Sequence, residues 1–555
     1  MNASSLLKAR SVITSKGIFV KRFVQLAQLD PRRLALTFVS GRSLDANSYT
    51  FGDVLNLACG FANKLDARVK KGKRVGVPAT NSIEFVVSLL GCFFSGCVAV
   101  PIPTGQFGLT KVRGEYIASS ADIDAFVTFD SEGDAVFKGI DGIKIDLQLD
   151  SLGCHERNCF DMSSAEDIAI IQYTSGTRGQ PAGVCISHRA LATNLSILEE
   201  SMGHVDRSHR VAMNWCPFYH DMGLIGGLLN PLYTGIHSIQ MRPYDLLRRP
   251  HKLLECIDKY RVTTVGGPTF SYQLLDEAIT KHKNDLAHID LRCWEAAFCG
   301  AEVVNPDVLE SFANNAGHLG FEKKALLPCY GMAEFGLFIT GAPFGSGMKC
   351  NMDEQKKHRV VSCGVPYGDS KIKIAGHPMT MLDEQHVGEI CISGESLLSG
   401  YWEAGELTNP LVYDEKLEQY FLPTGDLGFI KDGELYVTGR LKHCIKVNGV
   451  SLMPHLIVAS IAEQVEELDT LKGVVIQPDP ASNKLYVFQE LKRNVNPAPS
   501  VLQGIESQAK AVAMSLTGAT DVSVKLMKRG SLPKTSSGKL IAINSHEFLE
   551  SLLAK

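Results

Sequence analysis

From Tyr49 to about Thr340 the chain alternates short apolar runs with stretches of helical period: GKRVGVPAT, IEFVVSLLGCFF, CVAVPI, and later DAFVTF and DIAIIQYT. Short apolar runs set between amphipathic segments predict largely buried strands alternating with helices, which is an α/β architecture. Between Cys363 and Val437 the texture changes. KIKIAG, GEICISG and GELYVTG are strand-like pieces separated by glycine and turn residues, and they predict a small, mostly β subdomain. After GRLKHCIKVNG (439–449) a fresh unit is predicted, with a helix over 454–471, strands GVVIQPD and KLYVFQEL, a helix over 500–516 and a strand DVSVKLM. The predicted organisation is a composite N-terminal domain over 1–438, a hinge over 439–449 and a small mobile α+β lid domain over 450–555.

With 555 residues the chain exceeds what one hydrophobic core accommodates, in keeping with that division. Its 45% apolar and 21% charged residues and net charge of −4 show no bias toward nucleic acid. The longest uncharged stretch, FVVSLLGCFFSGCVAVPIP (85–103), is broken by Ser95-Gly96 and ends in prolines. It is therefore expected to be a buried helix running into a core strand, not a membrane span. The amino terminus has scattered charges and no apolar core before a small-residue cleavage site, so a cytosolic protein is expected. Fifteen cysteines, an odd number in apolar contexts, suit reduced thiols. The one compact cluster, CHERNC (154–159), lacks a second ligand pair at zinc-like spacing.

Chemistry concentrates in YTSGTRGQPAGV (173–184), which follows DIAIIQ. A strand delivering a Thr/Ser/Gly loop that returns into a second strand sets backbone N–H groups and the hydroxyls of Thr174, Ser175 and Thr177 around an anion, with Gly176 and Gly179 allowing close approach. This is not a Walker loop: the two glycines are too close, and Ala182 stands where a lysine would be needed. PKTSSGKL (533–540) fails the same test, with Pro533 in place of the first glycine and Leu540 in place of Ser/Thr.

Taken in order, YTSGTRGQPAGV, GAE (300–302), CYGMAE (329–334), GEICISG, TGDLG (424–428), GRLKHCIK (439–446) and PKTSSGK resemble the motifs of the adenylate-forming acyl and aryl ligases. WCPFYHDMGLIGGLLNPLY, RRPHKLLECIDKYRVTTVGGPTF and LPCYGMAE look most like the fatty acyl-AMP ligase branch of that superfamily. The resemblance implies ATP-dependent activation of a fatty acid to an acyl adenylate, followed by transfer to an acyl carrier protein. It further implies that Lys539 is the carboxy-terminal lysine reaching the α-phosphate and the acyl carboxylate, and that Glu334 holds Mg²⁺. Asp426 and Arg440 match the pair on the ribose hydroxyls. Thr174, Ser175, Gly176, Thr177 and Arg178 match the phosphate loop. Gly300, Ala301 and Glu302, with Tyr330, Gly331 and Met332, match the adenine slot. Outside the family pattern, Glu334 would read as a surface carboxylate and TGDLG as a type I turn.

His220 is expected to position the acyl carboxylate and α-phosphate; as neighbours in sequence, His220 and Asp221 are expected to point apart, and no covalent nucleophile accompanies them. Gly266-Gly267-Pro268 is expected to border the acyl tunnel. The sequence departs from the family at Arg178, Gln180 and Ala182, where Thr, Lys and Lys are common, at His443 in place of an acid, and at Val458 in place of a Glu. Lys442 is then the hinge candidate. The segment between Glu334 and Gly364 is short for this branch, which leaves coenzyme A open as the acceptor. A non-catalytic nucleotide- or acyl-binding descendant is the remaining alternative.

Overall fold

The computed structural model describes residues 18–41, 44–104, 108–129, 135–152, 160, 163–174, 181–205, 209–353, 358–376, 381–383, 385–403, 405–448, 450–479, 483–492, 495, 497–534, 540 and 545–554. The chain forms two compact units, Met1–Thr424 with Gly428–Val437, and Gly425–Leu427 with Thr438–Lys555.

In the first unit an eight-stranded sheet runs, in spatial order, Glu406–Thr408, Gly400–Glu403, Ala182–Ser187, Ile168–Thr174, Val98–Ile102, Arg74–Pro78, Ala125–Thr128 and Ile143–Asp146. The last five are parallel; Ala182–Ser187 and Gly400–Glu403 join antiparallel. Every residue of Val98–Ile102 is buried, as expected of a parallel strand covered on both faces. The preceding helix, Ile83–Phe94, is buried at nearly every position, so its all-round apolar surface serves the core. Among the described residues no helix is long and apolar enough to cross a membrane.

A second sheet orders Asp45–Thr50, Leu34–Ser40, His237–Met241 and Val211–Asn214. Single bridges from Ala212 to Thr264, Thr264 to Ala296 and Gly267 to Cys299 carry it on to a third, Ala297–Cys299, Leu326–Gly331, Phe338–Gly341 and Val365–Pro366. The β-rich region is a five-stranded sheet in which Gln419–Lys431 pairs with Gly388–Ser393, Val412–Asp414 and Glu434–Arg440. TGDLG is therefore not a turn. It runs through the strand Gln419–Lys431, held extended by pairing on both sides, with Thr424 and Asp426 buried and the one left-handed position, φ +71°, taken by Gly425.

The second unit has a three-stranded sheet, Leu468–Ile476, Lys484–Leu491 and Asp521–Met527, with helices Pro454–Gln464, Pro499–Thr517 and His546–Leu553. The first helix stops at Gln464 instead of reaching 471. Leu468 pairs with Leu491, and Asp469 is buried with Lys472 at 2.6 Å, so sheet pairing overrides the helical pattern of the sequence. Val458 is buried and faces this sheet: a Cβ on Gly473 would lie 2.6 Å from its methyl group. Every described cysteine is a free thiol.

Candidate active site

Strand Ile168–Thr174 ends at the carboxyl edge of the parallel sheet, beside the end of Val98–Ile102, and open α/β sheets bind ligands outside that edge. The chain returns antiparallel, with Tyr173 opposite Gly183 and Thr174 opposite Ala182. A side chain on Gly183 would strike Ile171 and Tyr173, at 2.9 and 3.1 Å. Ser175, Gly176, Thr177, Arg178 and Gln180 lie outside the described residues, as does Lys539.

Parallel pairing of Ala297–Cys299 with Leu326–Gly331 sets the two predicted adenine segments side by side. Gly300 is needed for packing: its Cβ would meet the Cys329 carbonyl at 2.7 Å. Ala301 adopts φ +69°, an uncommon conformation for a residue with a side chain, and such positions concentrate at functional sites. The Glu302 carboxylate accepts from the Phe270 backbone N–H at 3.3 Å, tying the segment to the neighbouring helix. Tyr330 and Met332 are buried, and Gly331 allows the Leu337 carbonyl to approach within 1.8 Å of where a Cβ would stand.

Glu334 is not a surface carboxylate. It is 6% exposed on the short turn Ala333–Phe335, and its Oε1 accepts from the Tyr401 hydroxyl at 3.0 Å. A buried carboxylate is costly unless hydrogen-bonded and matched with positive charge, which suits a divalent cation. Among the described residues no cluster of three or more His, Cys, Asp or Glu could cage a metal alone. Magnesium, which is usually held by one or two carboxylates plus phosphates and water, fits such a site.

His220 and Asp221 converge, contrary to the expectation that they diverge. His220 Nδ1 stands 2.6 Å from Asp221 Oδ1, because the chain turns there before entering the π-helix Met222–Leu229. The Asp221 carboxylate also accepts from the Met222 N–H at 2.7 Å. The Met222 N–H also lies 3.3 Å from His220 Nδ1, so the turn backbone and Asp221 together hold the ring in one orientation.

The π-helix forms one side of a cavity. Met202, Met213, Met222, Leu337 and Phe338 make it apolar, and Ala301, Tyr330 and Gly331 also border it. His204, buried, adds a polar patch, with Nδ1 against Asn230 Oδ1 and Nε2 against Thr264 Oγ1, both at 3.0 Å. The Asn230 amide donates to the Leu195 carbonyl at 3.2 Å, which turns its oxygen toward His204. Asn230 accepts from Nδ1–H, so in the neutral ring Thr264 donates to Nε2. Sequence reasoning missed these three residues; the only signal, for Asn230 and Thr264, was polar residues inside the apolar runs LLNPLY and VTTV. The wall is formed by Thr264 and Phe298 and not by the Gly266-Gly267-Pro268 loop, whose glycines pack on Phe298 and Trp215.

In the second unit Asp426, 6% exposed, accepts from Arg440 Nε. The next turn adds Lys442 and His443. Burial, then Lys442 and Arg440, push the His443 pKa down to about 4. Burial and Arg440 lower that of Lys442.

The AMP-binding enzyme family model matches residues 23–402. The chain is 32% identical to the medium-chain-fatty-acid–[acyl-carrier-protein] ligase JamA of Moorena producens (strain JHB), over 92% of this chain and 91% of that one. It is 28% identical to the long-chain-fatty-acid–AMP ligase FadD26 of Mycobacterium tuberculosis (strain ATCC 25618 / H37Rv), over 89% and 90%. Among solved structures, one from work on fatty acyl-adenylate ligases of E. coli and L. pneumophila superposes with a TM-score of 0.83 at 28% identity, covering 97% of this chain and 98% of that one. An L. pneumophila fatty acyl-adenylate ligase in complex with acyl adenylate and pyrophosphate gives 0.72 at 28% identity, covering 97% and 96%. The α/β architecture matches that of solved fatty acyl-adenylate ligases, a class of adenylate-forming enzyme. The chain belongs to the AMP-binding enzyme family, in its fatty acyl-AMP ligase branch.

Proposed function

We propose that this protein activates a fatty acid with ATP and passes the acyl group to an acyl carrier protein. A carboxylate oxygen attacks the α-phosphorus and pyrophosphate leaves; the carrier's phosphopantetheine thiol then attacks the acyl carbonyl, losing its proton, and AMP leaves. The observation that carries this reading is the apolar cavity bordered by Ala301, Tyr330 and Gly331. An acyl chain buried there sets its carboxylate beside the segment assigned to the nucleotide, and holding two reactants together removes much of the entropic barrier.

Residue roles follow the same chemistry. Thr174, Ser175, Gly176, Thr177 and Arg178 bind phosphate; Gly300, Ala301 and Glu302, with Tyr330, Gly331 and Met332, form the adenine slot. Asp426 accepts from the ribose hydroxyls with Arg440 beside it, and His220, oriented by Asp221, positions the reacting oxygens. Lys539 neutralises the carboxylate and α-phosphate as they meet, a role suited to an ammonium on a flexible stem. Glu334 holds Mg²⁺, which, when bound, neutralises phosphate charge. The C-terminal unit acts as the lid, with Lys442 at its hinge. The enzyme works in the cytosol, in keeping with the unbridged cysteines among the described residues, and nucleic acid is not a partner.

One observation favours a second acceptor. Only residues 335–363 separate Glu334 from Gly364, so transfer to coenzyme A is the competing reading. Retention of Glu334, Asp426, Arg440 and Lys539 together speaks against a descendant that merely binds, which has no need for a lysine delivered by a second domain. Pyrophosphate exchange across fatty acids of increasing length, repeated with a carrier protein and with coenzyme A, tests all three. Exchange dependent on a fatty acid with thioester on the carrier supports the proposal, thioester on coenzyme A alone replaces the acceptor, and no exchange rejects the enzyme.

A further inference from the structure

ATP brings several negative charges to a loop whose sequence, YTSGTRGQPAGV, contains one cation, Arg178. A second cation stands nearby on a different element. Helix Gly108–Ser120 is pressed against Pro103, just past the carboxyl end of strand Val98–Ile102: a Cβ on Gly114 would fall 2.3 Å from the Pro103 carbonyl. The preceding residue, Arg113, reaches across to strand Ile168–Thr174, where its Nη2 donates to the Tyr173 carbonyl at 2.8 Å, one residue before Thr174. Its Nε is buried and has no hydrogen-bond partner among the described residues. No described carboxylate forms an ion pair with it, and burial lowers its pKa, with the Tyr219 phenol acting in the opposite sense. Tyr219 immediately precedes His220, and its carbonyl lies 3.4 Å from the Gln172 amide nitrogen. The guanidinium thus lies at the carboxyl edge of the parallel sheet, between the start of the phosphate loop and the His220 turn.

Buried charges in proteins are paired, and a planar guanidinium pairs best with phosphate or carboxylate in a fork. We infer that Arg113 is a polyphosphate-binding residue, which pairs with the β- and γ-phosphates of ATP and with the departing pyrophosphate. It supplies from a neighbouring helix the charge that Gln180 and Ala182 do not bring to the loop. The fatty acid carboxylate is the other anion available, but the apolar cavity is lined from residues 198–338 and not by Arg113. This inference rests on the adenylate-forming reading.

The two half-reactions separate the possibilities. Formation of the adenylate and its reversal involve pyrophosphate; acyl transfer from preformed acyl adenylate does not. Arg113→Gln should raise the KM for pyrophosphate and for ATP about ten-fold or more, as expected on losing a forked charge-assisted contact, while Arg113→Lys restores part of it. The KM for fatty acid and the rate of transfer from preformed acyl adenylate should change less than about two-fold. Unchanged pyrophosphate and ATP constants overturn the inference. So does an effect confined to fatty acid KM, which would assign Arg113 to the carboxylate, or an equal loss in both half-reactions together with a lower Tm, which would make it a helix-to-strand anchor. If the wild-type enzyme itself shows no exchange dependent on a fatty acid, the adenylate-forming reading fails first, and the inference with it.

Discussion

Replacing Asp426 by alanine tests the nucleotide assignment through a substrate atom instead of through activity alone. Asp426 is 6% exposed and accepts from Arg440 Nε, so its carboxylate is fixed before substrate arrives. If it accepts the two ribose hydroxyls, each is a hydrogen bond to a charged group worth about 1.5–3 kcal/mol, giving about 3–6 kcal/mol together. At about 1.36 kcal/mol per factor of ten, this is about 10²- to 10⁴-fold in kcat/KM for ATP. Arg440 is only partly buried, so leaving it without this carboxylate adds little. The assay is pyrophosphate exchange with ATP and with 2′,3′-dideoxy-ATP, each in wild type and Asp426→Ala. The wild type should prefer ATP by a factor in that range, and the variant's preference should collapse toward one. A variant that is slow with both nucleotides yet keeps the wild-type preference would show that Asp426 supports the strand and does not bind ribose.

Other outcomes follow from the same structure. Met202, Met213 and Leu337 line the cavity beside Ala301 and Tyr330. Exchange should therefore rise with acyl chain length to an optimum and then level or fall. Gly226→Leu, whose Cβ would stand 2.9 Å from Leu337 Cδ2, should shorten that optimum, each excluded methylene costing about 0.8 kcal/mol or about four-fold in kcat/KM; an unmoved optimum would place the chain elsewhere. Glu334→Gln keeps the shape and removes the charge, and should raise the Mg²⁺ concentration for half-maximal exchange about ten-fold or more, a titration that an unrelated role would leave flat. Burial holds the His237 pKa down to about 4 from an ordinary 6.5. The unfolded chain therefore binds the extra proton in that interval, and the stability due to neutral His237 is full above 6.5 and lost as pH falls toward 4. His237→Gln should flatten the fall of Tm with pH over that window, and superimposable profiles would contradict it.

Much of the α/β unit was legible because buried parallel strands are written as unbroken apolar runs: CVAVPI and DIAIIQYT occur as the strands they suggest. What escaped depends on partners distant in sequence. The helix over 454–471 was overextended because Leu491 claims Leu468 for the sheet, and local periodicity carries no trace of that pairing. TGDLG has the composition of a turn, yet neighbouring strands on both sides keep it extended. Glu334 looked exposed because the Tyr401 hydroxyl that receives it comes from a strand 67 positions away. His220 and Asp221 met because a turn, not regular structure, precedes the π-helix, and π-helices leave no reliable pattern of spacing. Arg113 was invisible for the same reason: an arginine in a helix is ordinarily a solvated charge, and only the fold brings it to Tyr173.

The most direct measurement is mass spectrometry of the products when the protein is incubated with ATP, Mg²⁺ and a medium-chain fatty acid, with Lys539→Ala in parallel. Acyl adenylate should accumulate with the wild-type protein, depend on the fatty acid, and fall sharply in the variant. Absence of acyl adenylate with every fatty acid offered, or equal yield from the variant, would contradict the account.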